Sequence, residues 1–356
     1  MTPKFWKGKR VLLTGHTGFK GGWLSLWLQS MGAEVAGYAL APPTTQNLFD
    51  LGAVAQGMES VIGDIRDLSR LRKVLVEKDP QIIFHMAAQP LVRSSYQNPV
   101  DTYSINIMGT VHLLEAARST RNLKAIINIT SDKCYQNREW LRPYREDDPM
   151  GGFDPYSSSK GCAELVSAAY RSSYFNEYEY ARHGVAIATA RAGNVIGGGD
   201  WAKDRLVPDL INAFGHGQIA KIRNPNAVRP WQHVMEPLRG YLILAERLFR
   251  DGPNFSGGWN FGPQNDDAKS VQWIVERLAA LWGKDAKWEL LNTNSIHEAQ
   301  NLKLDNSKAR NELNWSPVLE LEHALHLTID WVRKLQEGEN MQEVTLEQIN
   351  SYMTKM

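Results

Sequence analysis

The chain has 356 residues, room for one large α/β unit with a smaller appended lobe but not for three average domains. Forty Lys and Arg stand against 39 Asp and Glu, so the composition carries no basic face for nucleic acid. Cys134 and Cys162 match no metal-ligand spacing; no metal is expected, and a reducing compartment fits.

Basic residues near the N-terminus (Lys4, Lys7, Lys9, Arg10) precede an apolar run too short for a signal peptide. No later stretch has membrane length, so a cytoplasmic protein without membrane contact is expected. Residues 10–14 (RVLLT) read as a buried strand, and the apolar spacing from Gly22 to Met31 predicts a helix packed on a sheet. Glu34–Leu40 is a second strand, and a third ends before Gly63-Asp64. A helix follows over Leu68–Glu77 and a strand over 81–88, then a long helix from about Val100 to Ser119. Strands at Ala125–Thr130 and 185–191 complete a β/α alternation. This predicts a doubly wound parallel Rossmann-type sheet with ligands at the carboxyl ends of its strands.

After Gly197 the segments GGGDW, IRNPNAVRPWQH and WNFGPQND read as ordered loops around a ligand. The expected division is a dinucleotide-binding domain over 1–190, with contributions from about 230–265. Residues 191–356 form mainly a smaller substrate-binding lobe. The last segment, EGENMQEVTLEQINSYMTKM, reads as a polar helical tail.

Gly15, Thr17, Gly18, Phe19 and Gly21 lie in a G-x-x-G-x-x-G turn between the first strand and first helix. Glycines there let the chain approach a pyrophosphate whose charge rests on the helix N-terminus. The acidic residue that usually binds the adenosine ribose is missing after the second strand, and no Arg or Lys replaces it. NAD is therefore expected ahead of NADP. Asp64, with Ile65 beside it, is read either as an adenine-side contact or as a strand-end cap.

Tyr156 and Lys160 form Y-x-x-x-K on one helical face. An ammonium beside the phenol, with a cationic nicotinamide close by, is expected to lower the tyrosine pKa and make it a base. Ser131, Asp132 and Lys133 close a buried strand. Adjacent residues on a continuing strand face opposite sides, so Asp132 and Lys133 reach one substrate only if the strand ends there.

With GHTGFKG, HMAAQP, TSDK and YSSSK in order, the chain resembles the extended short-chain dehydrogenase/reductases over nearly its whole length, to Leu313–Pro317. TSDKCYQN followed by Y-x-x-x-K resembles the nucleotide-sugar 4,6-dehydratases among them. Its Asp-Lys pair, with RAGNVIGGGDW and RPWQHV, resembles the CDP-linked branch, which implies CDP-glucose as substrate and NAD as cofactor. The implied product is a 4-keto-6-deoxy sugar for deoxysugar and lipopolysaccharide O-antigen synthesis. The resemblance also implies that Ser131 holds the reacting sugar oxygen beside Tyr156. Lys133, if neutral, would remove the C5 hydrogen, and Asp132, if protonated, would donate to the departing C6 hydroxyl.

By the same resemblance Ala87, Ala88 and Gln89 pass close to the cofactor, Asn106 supports the active-site backbone, and Asn194 contacts the nucleotide sugar. Arg93 is a candidate for the sugar or the diphosphate, and Arg205 and Arg229 for the diphosphate, since guanidinium binds phosphate bidentately. Trp201, Trp231 and Tyr241 are candidates for framing the base. His233 and Cys134 read as structural. A homo-oligomer, dimer or tetramer, is expected, with pairing through the helices around 100–119 and 156–180. A UDP- or TDP-linked dehydratase, an epimerase or decarboxylase of the same family, and a non-catalytic NAD-binding regulator stay open.

Overall fold

The computed structural model describes residues 1–284, 286–291 and 301–355; Met356, the end of the tail, lies outside them. Strand β1 (Arg10–Thr14) leads into helix α1 (Phe19–Ser30), β2 (Glu34–Ala39) and β3 (Met58–Ile62). Helix α2 (Leu68–Lys78) and β4 (Ile82–His85) follow, then α3 (Val92–Gln97), α4 (Pro99–Tyr103), a π-turn over Ser104–Met108, and α5 (Gly109–Ala117). Next come β5 (Ala125–Ile129), α6 (Pro155–Ser173), β6 (Ala186–Arg191), α7 (Leu206–Gly215) and α8 (Met235–Asp251). Strand β7 (Gly257–Asn260), α9 (Leu321–Gln336) and α10 (Met341–Met353) complete the main elements.

The seven strands form one parallel sheet in the order β7-β6-β5-β4-β1-β2-β3. Strands β4, β5 and β6 are buried along their whole length, because helices cover both faces. Their apolar runs are thus continuous rather than alternating. Strand order reverses between β1 and β4, which opens a crevice at their carboxyl ends.

Four departures from the sequence expectation matter for the site. Helix α1 starts at Phe19, three residues early, with extended Gly18 as its N-cap. The fourth strand stops at His85, so Met86–Ala88 are free to line the crevice. The long helix expected over 100–119 is broken by the π-turn, which holds Asn106. Finally, Trp259 and Asn260, the start of the expected WNFGPQND loop, belong to a strand over 257–260 paired with β6.

The tail forms α10 as expected, but one face is core. Met341, Val344, Ile349 and Tyr352 are buried. The Tyr352 ring meets Trp27 of α1 edge to face at 5.8 Å, and its hydroxyl donates to Glu236 Oε2 at 2.8 Å. On α9, the Trp331 ring fills the space above Gly198, where a Cβ would lie 2.1 Å from it.

Candidate functional site

A cavity of about 1410 Å³ opens at the carboxyl ends of β1, β4, β5 and β6. Its first wall is made of close backbone approaches. Gly15 sits at φ +80°, and a Cβ there would come within 2.7 Å of the Ala87 nitrogen. At Gly21 a Cβ would lie 2.1 Å from the Gly15 carbonyl oxygen. Gly18 supplies no side chain to cap α1, so the first-turn N–H groups of this 12-residue helix face the cavity. Such a cradle fits a pyrophosphate. Thr17 turns its hydroxyl to the Leu40 carbonyl at 2.9 Å. Along the wall after β2 stand Ala39, Leu40, Ala41, Pro43, Thr44 and Asn47, neither cation nor carboxylate among them.

Phe19, Asp64, Ile65, Ala87 and Ala88 also line this wall. The Asp64 carboxylate is already engaged by Arg66, at 2.6 Å to Nη2, and that pairing holds it below the ordinary carboxylate range. Gln89 is a correction. Its side chain is used up by Leu91 and Thr102, and it does not reach the cavity wall.

The second group stands where β5 ends. The chain leaves the sheet at Thr130 and makes a tight 3₁₀ turn over Asp132–Cys134, with Ser131 accepting from the Lys133 N–H at 3.2 Å. The strand has therefore ended, and Ser131, Asp132 and Lys133 all line one cavity with Tyr156 and Lys160. Ser131 Oγ donates to Asp132 Oδ1 at 2.9 Å. Asp132 is only 1% exposed, and its Oδ2 has no hydrogen-bond partner among the described residues. It packs against Gly193, where any Cβ would lie 1.8 Å from Oδ2.

Helix α6 presents Tyr156 and Lys160 on one face. Asp154 caps it, accepting from the Ser157 N–H at 2.9 Å. Burial drives the Tyr156 phenol up to about 12, against the opposing hydrogen bond with Ser131. Burial outweighs what Ser131 and Arg205 contribute toward the phenolate; the expected lowering rests on the Lys160 ammonium together with a cationic nicotinamide, which acts only when the cofactor is bound. Burial likewise brings Lys160 down to about 8, while Glu164 acts in the other direction. Lys160 Nζ donates to the Ile129 carbonyl at 3.2 Å.

The third wall comes from the loops after β6. Asn194, at φ +45°, lines it together with Trp201, Trp231 and three arginines. Arg205 donates to Asp200 at 2.8 Å. Arg93 lies 3.5 Å from Asp204, and Arg229 is buried with Nη1 on the Val228 carbonyl at 3.0 Å. Two substrate candidates are not on this wall. Asn106 is buried, bonding both the Gln89 backbone and Ser159, so it props up the loop after β4. Tyr241 is fully buried against Phe261 and does not frame a base.

Sequence reasoning missed Lys20. It lines the cavity and donates to Tyr241 at 2.9 Å. Burial, then Lys160 and Arg205, bring its amine down to about 7. The signal was a lysine inside the glycine motif itself. Asp200 and Asp204 were missed too, although acids beside arginines at a phosphate site invite attention. His233 is buried edge-on against Trp23, as a structural residue. Cys134 is buried with its thiol pushed up by desolvation. Among the described residues no three His, Cys, Asp or Glu side chains converge on a metal position.

Parallel sheet, glycine cradle and buried Tyr–Lys pair together define a protein of the short-chain dehydrogenase/reductase type. Residues 12–328 match the family described as GDP-mannose 4,6 dehydratase, and the chain belongs to it. It is 57% identical over 350 residues to the CDP-glucose 4,6-dehydratase of Salmonella typhimurium, spanning 98% of both chains. The solved structure of MoeE5 in complex with UDP-glucuronic acid and NAD matches with a TM-score of 0.77 at 25% identity, over 92% of this chain and 99% of that one. The dTDP-glucose 4,6-dehydratase of Bacillus anthracis in complex with NAD shares the fold, with a TM-score of 0.75 at 23% identity over 92% and 97% of the two chains.

Proposed function

We propose that the protein is an NAD-dependent hydro-lyase that converts CDP-glucose to CDP-4-dehydro-6-deoxy-glucose. The observation that carries this reading is the turn after β5, where Asp132, Lys133 and Tyr156 line one cavity. Redox chemistry alone needs only the Ser131, Tyr156, Lys160 set; the two extra proton-handling groups fit an elimination. The similarity to the Salmonella enzyme supports CDP-glucose as the particular substrate.

When bound, NAD would accept a hydrogen with its electron pair from C4 of the sugar and return it at C6, ending unchanged. The remaining steps belong to the chain's own residues. Ser131 orients the C4 oxygen, and Tyr156 takes its proton. Lys160 beneath favours the phenolate. The resulting ketone acidifies C5, whose proton Lys133 removes, while Asp132 protonates the departing C6 hydroxyl as water; once C6 is reduced, Lys133, its proton exchanged with solvent, returns a proton to C5. Arg93, Arg205 and Arg229 hold the diphosphate and Asn194 the sugar nucleotide. Residues 1–190, joined by about 230–265, bind the cofactor; the rest of 191–356 mainly binds substrate. Exposed Val100 on α4, Met108 in the π-turn and Leu165 on α6 support a homo-oligomer paired through these helices. Among the described residues no helix is long and apolar enough to cross a membrane, and we place the enzyme in the cytoplasm, in deoxysugar synthesis.

The test is competition between CDP-, UDP- and TDP-glucose in heavy water, followed by mass spectrometry. The expected product has lost water and gained a solvent hydrogen at C5, with CDP-glucose consumed first. An unchanged sugar, or a product without solvent hydrogen at C5, overturns the proposal.

A further inference from the structure

Directly beneath the reaction end lies a buried ionic network to which the chemistry above assigns no part. Glu164 follows Lys160 by one helical turn, as Lys160 follows Tyr156, so the three share a face of α6. Its carboxylate is about 5% exposed and fully engaged. Thr130 donates to Oε1 and Thr189 to Oε2, the latter at 2.6 Å. Arg191 binds it with a fork, Nε to Oε1 at 2.9 Å and Nη2 to Oε2 at 2.8 Å. The remaining arginine nitrogen donates to the Tyr135 hydroxyl at 2.7 Å and to the Glu146 carbonyl at 2.9 Å. Gly258 makes room for the guanidinium; a Cβ there would lie 2.3 Å from Nη2.

Glu164 thus ties together the end of β5, the end of β6 and the residue just after the 3₁₀ turn. Thr130 is the last residue before Ser131, Asp132 and Lys133, and Tyr135 is the first after the turn. A carboxylate gripped at both oxygens has one orientation, and the turn that carries the proton-handling groups inherits it.

We propose that Glu164 is a positioning residue for the reaction: it fixes the turn that carries Ser131, Asp132 and Lys133, and its charge keeps Lys160 an ammonium. This rests on the proposed role of Lys160. Around that amine stand Glu164 on its own helix, Cys134 on the turn, His85 on β4 and Lys20 on α1, and Tyr156 and Asp132 line the same cavity. Burial favours the neutral amine, and Glu164 is the foremost group opposing it. The carboxylate itself stays below its ordinary pKa: burial pushes it up, but Arg191 and the threonine hydroxyls outweigh that. Without the carboxylate, Lys160 loses its proton at lower pH.

The experiment uses Glu164→Gln and, because a lone buried guanidinium can prevent folding, the double variant Glu164→Gln/Arg191→Met, which removes both charges. Lys160 titration is read in ligand-free protein from the pH dependence of its acylation, peptide by peptide. The expected result is a shift of about one pH unit downward, a tenfold change in proton affinity. The basic limb of the kcat profile should move down with it, while KM for CDP-glucose holds. A folded variant whose Lys160 titrates as in the wild type overturns the inference. A wild type that leaves CDP-glucose unchanged overturns the proposed activity instead, and the ligand-free titration still judges Glu164.

Discussion

Around the cavity, the wall beside β1 and β4 and the wall beyond β6 bring their groups together by different means. On the first, contacts are backbone on backbone: Gly15 against Ala87 and Gly21 against Gly15, at distances no side chain permits. On the second, the loops after β6 carry aspartates on which arginines lean, Arg205 on Asp200 and, reaching across from α3, Arg93 near Asp204. A shape made of backbone tolerates almost no substitution but holds little charge. A site made of ion pairs stores charge and can exchange a carboxylate for another anion, since both bind guanidinium alike.

Four measurements sharpen or break this contrast. The largest effect is expected at the junction of the walls. Tyr156→Phe should cut turnover by about 10²–10⁴ while thermal unfolding and ligand affinities hold; retained turnover would remove the phenol from the chemistry. Next, Gly21→Ala should weaken NAD binding about 10–100-fold by calorimetry and cost about 1–3 kcal/mol of stability, because overpacking moves the cradle. CDP-glucose affinity should change far less. Arg205→Met should do the reverse, raising KM for CDP-glucose about 10–100-fold through loss of charge-assisted hydrogen bonds, with NAD affinity intact. Equal losses of both ligands in either variant would erase the distinction between the walls.

The smallest effect concerns two buried histidines, His85 on β4 and His233 paired beside the 195–196 segment. Burial brings His85 and His233 down to about 3. An unfolded histidine titrates near 6.5, so between these values the unfolded chain binds protons that the folded chain refuses. Their contribution is full above about pH 6.5 and is lost as pH falls toward 3, by on the order of 1 kcal/mol per unit for each histidine. Urea unfolding at about pH 7, 6 and 5 should show this slope, and His85→Gln should flatten it. An unchanged slope would mean that other groups govern acid sensitivity.

The backbone wall was the legible one. A buried strand, a glycine turn and an amphipathic helix are local patterns, and the close backbone approaches at Gly15 and Gly21 follow from them. Strand β7 was not legible, since GGWN is short and glycine-rich and gains its place only by pairing with β6, far away in the chain. Gln89 and Tyr241 were misplaced because nothing local shows that Leu91 and Thr102 consume the Gln89 amide, or that Phe261 covers the Tyr241 ring. The burial of the Tyr156 phenol was illegible for a related reason. Neighbours in sequence reveal charge, whereas desolvation depends on what the rest of the fold lays over the phenol. The Asp132–Lys133 argument fared better, because it was conditional on the strand ending and the chain does turn there.

The placing of Trp331 and Tyr352 has a consequence for how the protein is made. Trp331 sits over Gly198 of the GGGDW loop, and Tyr352 locks Glu236 and the Arg239 guanidinium of α8. A chain emerging from the ribosome can assemble β1 to β6 early, yet the lid over that loop arrives only with α9 and α10. The packing over the GGGDW loop and beneath α8 is thus completed by residues 331 and 352, which follow every strand of the sheet in the chain.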